Sequence, residues 1–329
     1  MKIKKLTILS IIILIILAII SLCIGRYDLG IKDAIRILFG NAKDAIEYNL
    51  LFNIRLPRVI LVVVSGAALA LSGMVFQSIF QNPLISPDVL GVTSGCSLGA
   101  AIGIVFLAAS SSIIQMLSFL FGIGSVIFSL ILSRKMRSNR ILALVISGIV
   151  TGALTSSLIM IIKYFADPYK DLPAIEFWLM GGFYNSSWSN LKSVIPLVAL
   201  STIVLFLFRW RLKVLTMGDD QATLLGVNVK VVRIISIFAS TLLVSSVVSV
   251  AGVISWIGLL SPHIVKSIAK DDITKIIPLT MMVGAIIMLI ADTLARSITT
   301  TEIPISILTS LVGAPFLVYI FNKKGSVMR

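Results

Sequence analysis

The sequence predicts an all-α polytopic membrane protein, and three observations carry that prediction. Of 329 residues, 58% belong to the apolar set AVILMFWYC and 13% are charged, against roughly 45–50% and about 25% in an ordinary soluble domain. The mean hydropathy is +1.08. The apolar residues come in blocks of about 20, the length a helix rising 1.5 Å per residue needs to cross a hydrocarbon core of roughly 30 Å. The charges, which leave a net +14, sit between these blocks and at their ends. The positive-inside rule and anionic lipid favour that distribution, so the basicity reads as topology and no nucleic-acid partner is expected.

The first block, about 6–25, follows Met-Lys-Ile-Lys-Lys. A basic start and an apolar run also open a signal peptide, but this run exceeds a typical h-region and no small-x-small cleavage site follows, so it reads as a retained helix. Further blocks span about 59–80, 89–109, 112–133, 141–162, 192–208, 232–250, 276–296 and 303–321. Between Val231 and Val265 lie 35 residues with one charge, Arg233. A single helix of that length would run about 50 Å, too long for one crossing even when tilted. Gly252 and its small neighbours offer a break, giving a tenth segment of about 253–269. Parity agrees: Lys2, Lys4 and Lys5 at one end and Lys323, Lys324 and Arg329 at the other are both basic, so both termini belong inside and the number of crossings is even. Ten crossings also place inside the clusters Arg134, Lys135, Arg137, Arg140; Arg209, Arg211, Lys213, Lys230, Arg233; and Lys266, Lys270, Lys275. Most of the cations left outside, among them Arg26, Lys32, Arg36 and Lys43, share one loop with Asp28, Asp33, Asp44 and Glu47. The expected organisation is one transmembrane domain over 1–329, N-in and C-in, with external loops of about 26–54 and 163–190 and a cytoplasmic loop of about 211–231.

Within the blocks, Gly91, Gly95, Gly99 and Gly103 recur every four residues, leaving one stripe of the third helix without side chains. Close helix packing is the first reading of the stripe and pathway lining the second. Gly148, Gly152 and Ser156 repeat the device in the fifth helix. Gln77–Asp88, QSIFQNPLISPD, is polar and twice interrupted by proline, and reads as a tight turn into a third helix capped near Ser86. Between the fifth and sixth helices, Phe177, Trp178, Phe183, Tyr184 and Trp188 suit an interfacial belt, with a short half-helix dipping toward a pathway as the alternative. The cytoplasmic stretch Arg209–Arg233 predicts a compact helical knob. Asp219 and Asp220 favour a helix start, Ala222, Leu224 and Leu225 lie on the helix, and Gly226 ends it. A soluble knob in such a chain is a candidate for docking a cytoplasmic partner.

Catalytic chemistry finds little support. No G-x-x-x-x-G-K-[ST] phosphate cradle occurs. Cys23 and Cys96 lie in apolar stretches and read as small hydrophobes rather than a disulfide or metal pair, the single His263 cannot form a metal cluster, and no cofactor is expected. Asp292 is the one ionisable residue well inside a block, with Arg296 four residues on as its expected partner. No carboxylate or histidine series suggests a proton relay. An intramembrane enzyme is therefore disfavoured, an ion-coupled carrier stands second, and energy for uphill transport would come from another subunit.

RLPR at 55–58 leading into GAALALSGMVFQSIFQNPLISPDVLGVTSG, GDDQATLLGVNV at 218–229, SWIGLLSPHIVK at 255–266, ADTLAR at 291–296 and EIPISILTSLVGAPFLVYI at 302–320 occur in this order. In these motifs the chain resembles, nearly end to end, the FecCD-type permease subunits of ATP-binding-cassette (ABC) importers for iron-siderophores, haem and cobalamin. The resemblance implies the cobalamin-importer-type (type II) ABC permease fold in a bacterial cell membrane. It also implies partners: a second permease, identical or homologous, two cytoplasmic ATP-binding subunits and an extracytoplasmic binding protein. By position, Arg55, Arg58 and Arg296 resemble external arginines that pair with carboxylates of the binding protein, the alternative being side chains that anchor helix ends. The segment 218–229 resembles the coupling helices that fit a cleft on the ATPase. A ferric siderophore is the expected cargo, with haem and cobalamin as alternatives.

Overall fold

The computed structural model describes residues 2–25, 27, 30–38, 44–107, 110–136, 139–269 and 272–325. Arg26, Asp28, Lys43, Arg137, Lys270 and Arg329, used in the topology argument, lie outside them. The described secondary structure is helical throughout. In lipid, a helix satisfies its own backbone and needs no partner strand.

The chain runs through α1 (Lys2–Cys23), α2 (Ile31–Leu38), α3 (Ala45–Tyr48), α4 (Leu56–Ile79), α5 (Val92–Leu107), α6 (Ser111–Lys135), α7 (Arg140–Phe165), α8 (Asp171–Met180), α9 (Trp188–Leu207), α10 (Arg209–Leu215), α11 (Asp219–Leu224), α12 (Val229–Ala251), α13 (Ile257–Ala269), α14 (Ile273–Ser297) and α15 (Ile305–Gly325). Seven helical stretches among the described residues are long and apolar enough to cross a membrane, and α5, α13 and α15 supply three shorter apolar helices. The ten apolar segments of the sequence thus each correspond to a helix. The predicted break after Gly252 is present: Gly252 caps α12 at φ +68° and the chain is unwound until α13.

Two expectations are corrected. The first external loop does not extend to residue 54. A π-helical segment, Asn49–Arg55, joins α3 to α4, so helix is continuous from Ala45 to Ile79. The third helix starts at Val92 rather than near 89, because Pro87–Leu90 forms a separate 3-10 turn with Ser86 at its N-cap and left-handed Gly91 after it. Gly91 therefore belongs to the turn and not to the helical stripe.

α4 and α12 form the buried centre. α4 packs along α14, α13 and α12, while α5 lies along α6 and α1 lies outside against α14. The glycine stripe explains the second of these pairings. A Cβ on Gly95 would stand 2.6 Å from the Phe121 carbonyl oxygen, and one on Gly99 would stand 2.7 Å from the Leu117 carbonyl carbon. Gly103 faces Ile114, so three glycines seat α5 directly on the backbone of α6. Gly148 does the same for α7 over Val89 of the 3-10 turn, whereas a Cβ on Gly152 would meet only Ser94 Oγ, at an ordinary contact distance of 3.9 Å. The turn's carbonyls find donors across the interface: Ser125 Oγ donates to Gly91 O at 2.8 Å and Ser129 Oγ to Leu90 O at 3.0 Å. Non-helical backbone is thereby satisfied inside the protein, the condition for its presence at membrane depth.

Candidate functional site

At one end of the bundle, the starts of α4 and α15 meet the ends of α1 and α14. Asp292 is fully buried there. Arg58 reaches it through Nε at 3.1 Å and Nη2 at 2.8 Å, and also grips Glu302 with Nη1 at 3.0 Å and Nη2 at 2.9 Å. The expected partner of Asp292, Arg296, stands farther off, its Nε 3.6 Å from the carboxylate. Arg296 instead donates to the carbonyls of Ser21 and Ile24, and Arg55 donates to those of Leu22, Cys23 and Tyr27. These are the last carbonyls of α1 and just beyond, which have no partner within the helix and carry its negative dipole end. With no basic residue in its own last turn, α1 is capped by guanidiniums from two other helices.

The predicted docking residues Arg55, Arg58 and Arg296 are thus brought together, but at 4%, 8% and 7% exposure they are internal. The expectation that they present free guanidiniums at the surface is corrected: carboxylates and helix-end carbonyls, which sequence spacing could not pair with them, occupy the forks. Arg58, Asp292 and Glu302 form the ion-paired core of the cluster.

Below this cluster, three interruptions converge. α8 is a half-helix whose end, Gly181–Gly182, meets the unwound 252–256 segment and the entry to α15. Gly182 N donates to Ala251 O at 2.7 Å, Ile305 N donates to Gly181 O at 3.1 Å, and Ser306 Oγ donates to Val253 O at 2.6 Å. Any side chain at Gly181 would strike the Val253 carbonyl. Trp256, at φ +73°, lays its ring against Gly313 and donates Nε1–H to Ser310 Oγ at 3.0 Å. A bulky residue in the left-handed region is strained, and such strain collects where function constrains the backbone. The sequence offered the break at Gly252 and a half-helix as the alternative reading of the 163–190 stretch, but nothing in residue order joined the two to the entry of α15.

At the opposite end, two motifs noted for their prolines touch. Lys266 Nζ donates to Gln77 Oε1 at 3.1 Å, His263 Nε2 is 2.8 Å from Pro83 O, and Gln81 Nε2 donates to Leu215 O at 3.0 Å. Beside them stands the knob. Ala222 is fully buried in a small core of its own with Val214, Leu215, Val227, Val229 and Val232. Asp219 pairs with Arg233 at 2.7 Å, and Lys213 ties α10 to Asp272 at 3.0 Å. Hydrogen bonds from Thr274, then Lys213, hold the Asp272 carboxyl down at about 2. Gly226 takes φ +77°, which turns the chain sharply after α11. Asp220 is exposed, and Leu224 and Leu225 are 87% and 55% exposed. A knob with its own core that still displays two leucines is built to meet another surface.

A sequence profile of the FecCD transport family matches residues 13–323. The chain belongs to that family. Relatives span its whole length: the molybdate import system permease protein of Haemophilus influenzae is 39% identical, over 95% of this chain and 94% of its own. The hemin transport system permease protein of Yersinia pestis is 34% identical, over 94% of each. A solved chain, described as an inward-facing conformation of a metal-chelate type ABC transporter, superposes with a TM-score of 0.89 at 36% identity, covering 97% of this chain and 99% of that one. A Streptococcus pneumoniae chain from the PsaBC complex, at 16% identity and TM-score 0.57, shares the fold alone. This FecCD chain is therefore a multi-pass ABC importer permease of type II fold and not an enzyme. Its family implies ATP-hydrolysing and binding-protein partners.

Proposed function

We propose that this permease pairs with a second permease chain to enclose a pathway for a ferric chelate, with knob 218–229 seated on one of two ATPases and the outer face receiving the binding protein. The single observation supporting the coupling role is the display of Leu224 and Leu225 on a knob anchored by Ala222 and by Asp219–Arg233. The face carrying Arg55, Arg58 and Arg296 receives an acidic binding protein by long-range attraction rather than by direct forks, since its guanidiniums are already occupied. Over 1–329 the chain acts as one transmembrane unit. Its partly uncovered helices α7 and α15 carry no ionised residue between Arg140 and Lys163 or between Ile305 and Ile320, which suits a bulky chelate moving without tight contacts. Molybdate is the second reading, favoured by the relative named for it.

The test reconstitutes the permease with its ATPase and binding protein in liposomes. Uptake of a radioiron chelate dependent on ATP is the expected result, and ATP-driven uptake of radiomolybdate with none of the chelate would reverse the substrate assignment. Leu224→Asp with Leu225→Asp should abolish ATPase co-purification and uptake while membrane insertion persists. Full coupling in that variant would remove the knob from the mechanism.

A further inference from the structure

Between the inner ends of α6 and α7 and the start of α12 lies a cleft of about 430 Å³ that the transport reading does not use. Its rim carries Arg134, Arg140 and Lys230, all exposed, and among the described residues its lining includes no acidic side chain. Arg233, only 4% exposed, also lines it. One nitrogen of that guanidinium, Nη2, is held by Asp219, whereas Nε and Nη1 are buried and have no hydrogen-bond partner. A buried donor left unmade is costly, and guanidinium forks are shaped for phosphate oxygens.

The remaining wall is apolar, with Leu130, Leu144 and Ile237 among its residues. Ile131 and Leu142, both about half exposed, continue the apolar surface beside it on α6 and α7. The positive-inside rule puts this end of the bundle at the cytoplasmic boundary of the membrane. We infer that this cleft binds the phosphate of an anionic phospholipid headgroup from the inner leaflet, its acyl chain lying along the apolar wall. A soluble anion would satisfy the cations but would leave that wall unused. Arg233 also holds Asp219 at the start of α11, so occupancy of the cleft bears directly on the anchor of the cytoplasmic knob.

The test is native mass spectrometry of the delipidated full chain, titrated with phosphatidylglycerol, with phosphatidylcholine and with inorganic phosphate. Saturable binding of phosphatidylglycerol, and not of phosphatidylcholine, is expected. The triple change Arg134→Gln, Arg140→Gln, Lys230→Gln touches only exposed side chains and should weaken binding on the order of tenfold or more, given the contribution of each basic residue near an anionic surface. Arg233→Gln should weaken it similarly, and Arg233→Lys should restore part of it. Equal binding by parent and triple variant, or equal binding of the two lipids, would overturn the site. Inorganic phosphate binding through the same cations without phosphatidylglycerol would make it a free-phosphate site and end the lipid assignment. Unaltered lipid binding with lost ATPase co-purification in the triple variant would make the cleft a protein-docking surface instead.

Discussion

Asp292 shows how much one buried carboxylate can organise. It has no access to solvent, Arg58 forks onto it, and Arg296 stands within 3.6 Å. Asp292→Ala leaves two buried cations short of their counter-charge, and breaking such a pair costs about 3–5 kcal/mol. The variant should melt well below the parent in detergent. The exchange Arg58→Asp with Asp292→Arg should recover part of the loss, and a single variant as heat-stable as the parent would contradict the network. Residue spacing revealed only the i,i+4 half of this cluster, Asp292 with Arg296. Arg58 is 234 residues from Asp292 and 244 from Glu302, so no local pattern could join them. The same holds for the cap on α1, where the acceptors are backbone carbonyls and carry no residue signature.

Most of the element pattern was legible, since a block of about 20 apolar residues has one stable form in lipid. What stayed hidden was how the irregular backbone is held: the π segment ahead of α4, the separate turn at Pro87–Leu90, and the meeting of α8 with the unwound segment after Gly252. These depend on donors from distant helices, such as Ser125 and Ser129 on α6, which resemble any other membrane serine. The glycine stripe was visible as a pattern, and the structure divides it into Gly91, needed for its left-handed φ of +78°, and three residues needed for contact. Gly95→Leu or Gly99→Leu should push α5 off α6 and cost about 1–3 kcal/mol or more by overpacking. Lower thermal stability and poor assembly are the readout. Gly152→Ala, whose Cβ would meet only Ser94 Oγ at 3.9 Å, should be nearly silent, and damage equal to that of the two leucine variants would mean that the contacts are not the cause.

For the whole molecule, the two ends differ in kind. The outer end is braced by occupied guanidiniums, so the proposed attraction of an acidic binding protein acts at long range rather than through exposed forks. Such attraction is screened within about 8 Å at physiological ionic strength. Association should slow as salt rises, while Arg55→Glu, Arg58→Glu and Arg296→Glu should lower stability and association together. Stopped-flow docking that ignores both salt and these changes would leave the arginines as braces alone. The inner end instead exposes Leu224 and Leu225 on a knob with a separate small core. The cap on α1 carries a consequence for biogenesis. The carbonyls at the end of α1 accept from Arg296, 272 residues later for Ile24 and 275 for Ser21. Until the ninth apolar segment leaves the translocon, those carbonyls must be served by water or headgroups, and α1 cannot take its final seat. A crossing made long before its cap is therefore completed late, so translocon partners or a lipid surface must hold α1 until Arg296 has been made.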